Sequence, residues 1–154
     1  MEELYFISGG TGLIGRPIVR RLIQDSKSRN IKRITLLTRN ITRFVDRFPD
    51  IGNHDIVNLI EGDVVDSIQE RGIYTDIIHA ACEVNDKHIS NKLVYAESIV
   101  SATRNMLDLA VNVGAKRFLY VSSGAVYGEY NDSTFSEDAT TAPKTNSYRD
   151  AYGH

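Results

Sequence analysis

Three glycines, Gly9, Gly12 and Gly15, fall at G-x-x-G-x-x-G spacing in the segment Ser8-Gly9-Gly10-Thr11-Gly12-Leu13-Ile14-Gly15. An apolar run precedes them and a helical pattern follows. Leu4 to Ser8 shows no polar alternation, as expected of a strand buried on both faces. Beyond the glycines, Leu13, Ile14, Ile18, Val19, Leu22 and Ile23 recur at helical spacing. Pro17 sits in the first turn of that helix, where its missing N–H is harmless. A strand that passes through such a turn into a helix fixes a close-packed βα unit. The first glycine allows a tight turn, the second leaves bare backbone for a pyrophosphate, and the third lets helix and sheet approach. The free N–H groups and positive helix end then favour phosphate. This context makes Gly9, Thr11, Gly12, Leu13, Ile14 and Gly15 candidates for dinucleotide binding.

The rest of the chain repeats the alternation. Ile34 to Leu37, Ile56 to Ile60, Asp76 to Ala81 and Phe118 to Ser122 read as further strands. Ile41 to Phe48 reads as a short helix ended by Pro49. Leu93 to Val113 reads as a long helix that places Val100, Met106, Leu107, Ala110 and Val111 on one side, with Gly114 as its stop. Strands alternating with helices predict an α/β, Rossmann-like, doubly wound parallel sheet of order 3-2-1-4-5, built as one domain over residues 1–154. The ligand crevice is expected at the carboxyl ends of strands one and four. Glu129 to Ser147 is polar and turn-rich, and is expected to loop over that crevice.

Composition excludes several other classes. A chain of 154 residues with 42% hydrophobic and 25% charged residues suits a soluble globular domain. The formal charge of -2 supplies no basic field, which argues against a nucleic-acid partner. The one cysteine, Cys82, cannot form an internal disulfide, which fits a reducing cytoplasm; it is read as packing. Glu2 and Glu3 follow Met1 and no long apolar run appears, so neither a signal peptide nor a membrane contact is expected. No carboxylate or histidine spacing suggests a metal site. His54 and His88 lie in polar surroundings, and His79, inside an apolar strand, is read as hydrogen-bonded in the core.

Other candidates sit at strand ends. Arg39 follows the second strand where an acidic residue would accept ribose hydroxyls; a guanidinium there suits a 2′-phosphate, so the cofactor reading leans from NAD to NADP. Asp63, beside Val64, either meets the adenine amino group or caps the next helix. Ala80 and Ala81, after Ile78-His79, leave room for a flat cofactor.

The segment Val121-Ser122-Ser123-Gly124-Ala125-Val126-Tyr127-Gly128 completes a set. With the glycine turn, Asp63-Val64 and Ile78-His79-Ala80-Ala81, it resembles the NAD-dependent epimerase/dehydratase family, the extended short-chain dehydrogenases, in order and spacing across essentially the whole chain. The resemblance implies an NAD(P)-dependent enzyme acting on a nucleotide-sugar substrate. It implies that Ser122 borders the cofactor, and that Ser123, Ala125, Val126 and Tyr152 face the substrate. Ser123 and Tyr152 would be catalytic. Tyr152-Gly153 matches part of the family's Y-G-x-[SG]-K run, whereas Tyr148 has Tyr152 rather than lysine four positions on. The partner lysine would lie two residues past His154, so the chain is expected to be truncated before its sixth strand and substrate domain. A free phenol titrates near 10 and needs that ammonium to act as a base at neutral pH.

By the same resemblance, Tyr152 takes the proton of the sugar 4-hydroxyl while hydride leaves C4. The 4-keto sugar then permits epimerisation or dehydration, so the activity falls among isomerases, lyases or oxidoreductases. The Ser122 to Tyr127 wording is similar to members serving surface-polysaccharide synthesis. The family's N-V-x-G-T is replaced by Ile99-Val100-Ser101-Ala102-Thr103. A homodimer through residues 93–113 is also implied. Two alternatives remain: a stand-alone dinucleotide-binding or redox-sensing module, and an NADPH-dependent reductase of a small carbonyl compound.

Overall fold

A computed structural model describes residues 1–82, 92–127 and 136–138. The elements run β1 (Glu3–Ser8), α1 (Gly15–Gln24), α2 (Ser26–Arg29), β2 (Ile31–Thr38), α3 (Ile41–Arg47), α4 (Pro49–Gly52), β3 (Val57–Glu61), β4 (Asp76–His79), α5 (Lys92–Asn112) and β5 (Arg117–Tyr120), followed by a 3-10 turn, Gly124–Tyr127. The chain divides into two compact units. One comprises Met1–Cys82 and Ser101–Val121; the other comprises Glu83–Val100 and Ser122–His154.

The first unit holds a five-stranded sheet of order β3-β2-β1-β4-β5, the expected order, with every pair parallel. Phe6 pairs with Thr35 on one side and Ile77 on the other. Successive side chains point to opposite faces, so β1 feeds two cores. Tyr5 and Ile7 pack with Val19 and Leu22 of α1, and with Ile34, Leu36 and Ile78. Phe6 packs with Leu37, Tyr74 and Ile77, and with Met106 and Leu109 of α5. Phe6 and Ile7 are both fully buried. Cover on both faces is why β1 carries no polar alternation.

Several local expectations are corrected. Pro49 does not only end a helix: α3 stops at Arg47 and Pro49 opens α4 from its first turn, where proline is tolerated. α3 is capped by Asn40, whose side chain accepts from Arg43 N at 2.7 Å. α2 has no buried residue, hence no periodicity to read, and ends on Asn30 at φ 58. Asparagine tolerates this left-handed conformation. Residues 62–75, between β3 and β4, hold turns and no helix.

The long helix ends as its sequence suggests. Gly114 adopts φ 65, Ala115 N donates to Ala110 O, and Gly114 N donates to Val111 O, the double bond of a Schellman stop. Its buried face is the expected one only in part: Met106 and Ala110 meet the core as expected, but the other three do not. Ala102, Met106 and Leu109 are buried, while Val100, Leu107 and Val111 are exposed. β5 is a short edge strand with Leu119 and Tyr120 exposed. Among the described residues no helix is long and apolar enough to cross a membrane, and no cluster of metal-ligating side chains occurs.

Candidate functional site

In the first unit, β1 has β2 on one flank and β4 on the other. Connections from strands on the two sides of such a point diverge, leaving a crevice at the carboxyl ends of the strands. The glycine turn lies here. Gly9 adopts φ 76, and a Cβ on it would overlap the carbonyl of Ala80 and the nitrogen of Ala81. Only glycine permits that conformation beside the end of β4. A Cβ on Gly15 would overlap the carbonyl of Gly9, so the third glycine seats α1 against the turn. Gly12 is different. A Cβ there would meet only Gly9 O, at 3.2 Å, and Gly12 N donates to that same oxygen at 2.9 Å.

The three glycines therefore play different parts. Gly9 and Gly15 are required by packing, while Gly12 keeps the exposed side of the turn bare. Thr11, Gly12, Leu13 and Ile14 are all exposed, Leu13 at 84%. The start of α1 has no side-chain cap and no acidic residue in its first turn. A positive helix end without a side-chain cap, approached over bare backbone, fits a pyrophosphate.

Beneath the turn, Ser8 Oγ and His79 Nδ1 share a buried hydrogen bond of 2.7 Å. His79 Nε2 lies 3.5 Å from Thr103 Oγ1 on α5. Burial pushes the imidazole from its ordinary value down to about 4, so it is neutral at physiological pH. The expected core role for His79 is what the geometry displays. Thr103 stands at the last position of the departed N-V-x-G-T run, and its hydroxyl reaches this histidine.

The outer strands bring the remaining candidates to the same sheet end. Arg39 is exposed, one residue past β2. Asp63 follows β3, and its Oδ1 accepts from Val65 N at 3.2 Å. The alternative that Asp63 caps a helix is corrected, since no helix follows; it closes an Asx turn instead. Val64 is half-buried against the α5-side core. Ala80 N donates to Ser8 O at 3.0 Å, continuing the β1–β4 ladder past the strand's end.

A residue not singled out from sequence ties this region together. Asn105 on α5 donates through Nδ2 to Val64 O and to Asp66 O, each at 3.0 Å. One asparagine within a helix carries no signal that would have identified it.

In the second unit, Ser122 is exposed and Ser123 half-buried at the start of the 3-10 turn. Ser123 Oγ accepts from Ala125 N at 3.2 Å, and Val126 N donates to Ser123 O at 3.3 Å. These bonds fix the serine side chain while its hydroxyl hydrogen stays available for donation. Ala125 and Val126 are half-buried. Tyr152, Tyr148, Gly128 and His88 lie outside the described residues.

The NAD dependent epimerase/dehydratase family model matches residues 5–154. A low-salt glycan biosynthesis protein, Agl12, of Haloferax volcanii is 30% identical over 142 residues, covering 90% of this chain and 45% of that protein. The crystal structure of DesIV, a dTDP-glucose 4,6-dehydratase of Streptomyces venezuelae with NAD and TYD bound, is similar at a TM-score of 0.79 and 25% identity, covering 97% of this chain and 48% of that one. A UDP-N-acetylglucosamine 4-epimerase of Methanobrevibacter ruminantium shares the fold at a TM-score of 0.77 and 24% identity, over 99% and 48% of the two chains. The chain thus spans about half the length of the relatives it matches. From the strand order, the division of labour among its glycines and the match over residues 5–154, this chain belongs to the NAD dependent epimerase/dehydratase family.

Proposed function

We propose that the chain binds NAD(P) and forms part of an enzyme that acts on a nucleotide-diphosphate sugar through a 4-keto intermediate. The observation that carries this reading is the glycine turn. Gly9 and Gly15 are fixed by packing, and Gly12 leaves open backbone at the uncapped start of α1. The relatives add the substrate class, since DesIV is a dTDP-glucose 4,6-dehydratase with NAD bound and the Methanobrevibacter protein is a UDP-sugar epimerase. The glycan-biosynthesis relative supports a role in surface polysaccharide assembly.

When bound, the nicotinamide cofactor supplies the hydride acceptor and donor. The chain's own residues bind, orient and move protons. The turn from Gly9 to Gly15 holds the pyrophosphate. Arg39 pairs with a 2′-phosphate, which favours NADP. Asp63 accepts from the adenine amino group, Val64 packs on the ring, and Ala80, Ala81 and Ser122 border the cofactor. Ser123 donates to the reacting sugar oxygen, with Ala125 and Val126 beside the ring. Tyr152 takes the 4-hydroxyl proton, activated by a lysine four residues after it. Two copies pair through residues 93–113, where Leu107 and Val111 offer exposed apolar surface. The protein works in the cytoplasm.

Two measurements test this. Titrating the chain with NADP and NAD, by calorimetry, is expected to give saturable binding. Reading the encoding gene beyond the codon for His154 is expected to give lysine as the second residue. If that lysine is present, the protein so encoded should oxidise dTDP- or UDP-sugars, and Ser123→Ala should lower kcat by about 10²–10⁴-fold, the usual worth of such a group. Binding without turnover of any nucleotide sugar would favour a binding module instead.

A further inference from the structure

The segment after β3 carries Asp63 and Val64 but has no helix of its own to hold it. One end is tied to the sheet, where Gly62 N donates to Thr38 O at 2.9 Å. Inside the segment, Asp63 Oδ1 accepts from Val65 N and Asp66 N donates to Asp63 O at 3.1 Å. These bonds shape the turn without fixing where it points. From outside, Val64 packs against the core on the α5 side, and the hydrogen bonds come from Asn105. Its single amide nitrogen has two hydrogens, and the two acceptors, Val64 O and Asp66 O, each lie 3.0 Å away. They flank the turn on either side of Val65. The next residue, Met106, is fully buried, and Leu109 nearly so. The amide is therefore held by a helix that is itself locked into the core.

We propose that Asn105 is a positioning residue for the adenine end of the bound dinucleotide. It acts through the backbone of residues 64 and 66 to set the Asp63 carboxylate against the base. The inference rests on the dinucleotide reading above and deepens it. A carboxylate that accepts from the adenine amino group discriminates against a base carrying a carbonyl there. That discrimination depends on how firmly the turn is held, and Asn105 is the side chain that hydrogen-bonds its backbone from outside.

The test compares NAD with nicotinamide hypoxanthine dinucleotide, which differs only at that amino group. The full chain is expected to bind NAD more tightly. Asn105→Asp keeps the shape but turns an oxygen toward each carbonyl in place of the donor. Asn105→Leu is similar in size, uncharged and unable to donate, and serves if the first variant fails to fold. Either is expected to weaken NAD by about tenfold, the scale of a lost pair of hydrogen bonds, and to change hypoxanthine dinucleotide affinity by less than about threefold. The preference for adenine thus collapses. An equal loss for both dinucleotides, or an unchanged preference, overturns the role of Asn105 while leaving the dinucleotide site standing. Failure of the unmodified chain to bind either dinucleotide, and NADP as well, overturns the site itself, and this inference with it.

Discussion

Ser8 Oγ and His79 Nδ1 lie 2.7 Å apart at the carboxyl ends of two adjacent parallel strands, β1 and β4. The next residue after β1 is Gly9 and the next after β4 is Ala80, whose backbone leaves no space for a Cβ on Gly9. One buried hydrogen bond thus sits directly beneath the turn on which the phosphate site depends. The histidine is 2% exposed, and only its neutral form suits that environment.

That neutrality sets a pH dependence. In the unfolded chain the imidazole titrates at the ordinary value, 6.5, and in the folded chain burial lowers it to about 4. Between these values the unfolded state binds more protons, so stability falls as pH falls. The contribution is complete above about pH 6.5, drains away toward about pH 4, and is constant below that. Discounted for partial screening, it amounts to about 1–3 kcal/mol. Urea midpoints at pH 7.5, 6, 5 and 4, compared with those of His79→Asn, should show a steeper acid decline in the unmodified chain. Parallel declines would mean that folding leaves the proton affinity of His79 unchanged.

The glycines should separate in experiment as they do in geometry. Gly15→Ala places a methyl on the Gly9 carbonyl, so the turn or α1 must shift. Such overpacking costs about 1–3 kcal/mol, and the melting temperature should drop. Gly12→Val points its side chain mainly into the open face, meeting only Gly9 O. Its stability should fall less than that of Gly15→Ala, yet dinucleotide binding should be lost because the branched side chain occupies the pyrophosphate's approach. Retained affinity in Gly12→Val would remove the phosphate site from this turn.

How far such features are legible in sequence depends on whether a pattern has a single physical cause. The β1 run is unbroken because both faces are covered, and nothing else explains five apolar or small residues at that place. The turn is readable because each glycine meets a backbone constraint. α5 is not, because apolar residues populate more than one side of it. Periodicity alone groups Val100, Leu107 and Val111 with Met106, whereas the sheet selects Ala102, Met106 and Leu109. α2 buries nothing and so leaves no periodicity. Asn105 is invisible for another reason: its partners are two carbonyls about forty positions away, and any chain supplies carbonyls.

Arg39 offers a test of cofactor choice. It is exposed one residue beyond β2, at the strand end that adjoins Glu61 of β3. If its guanidinium meets the 2′-phosphate, Arg39→Asp should lower the ratio of NADP to NAD affinity by about tenfold or more, since a charge-assisted contact becomes a repulsion. Competition binding with the two dinucleotides measures the ratio directly. A ratio that does not move would return Arg39 to the role of a surface residue.

The corrected face of α5 makes the sharpest contrast in stability. Met106 is fully buried between Phe6, Ile77 and Leu109, so Met106→Ala leaves a cavity that close-packed neighbours cannot fill. The loss should be about 2–5 kcal/mol. Val111 is 79% exposed, and Val111→Ala removes little that the fold had taken from water. At a protein concentration too low for two copies to pair, its effect should stay within about 0.5 kcal/mol, with alanine's better helix propensity partly offsetting any loss. The two residues are five positions apart on one helix, and an apolar periodicity that placed both in the core would give both substitutions a large cost. Denaturant unfolding of the two variants distinguishes these outcomes: a Val111→Ala penalty comparable to that of Met106→Ala would mean that a second surface, such as another copy of the chain, covers the outer face in solution.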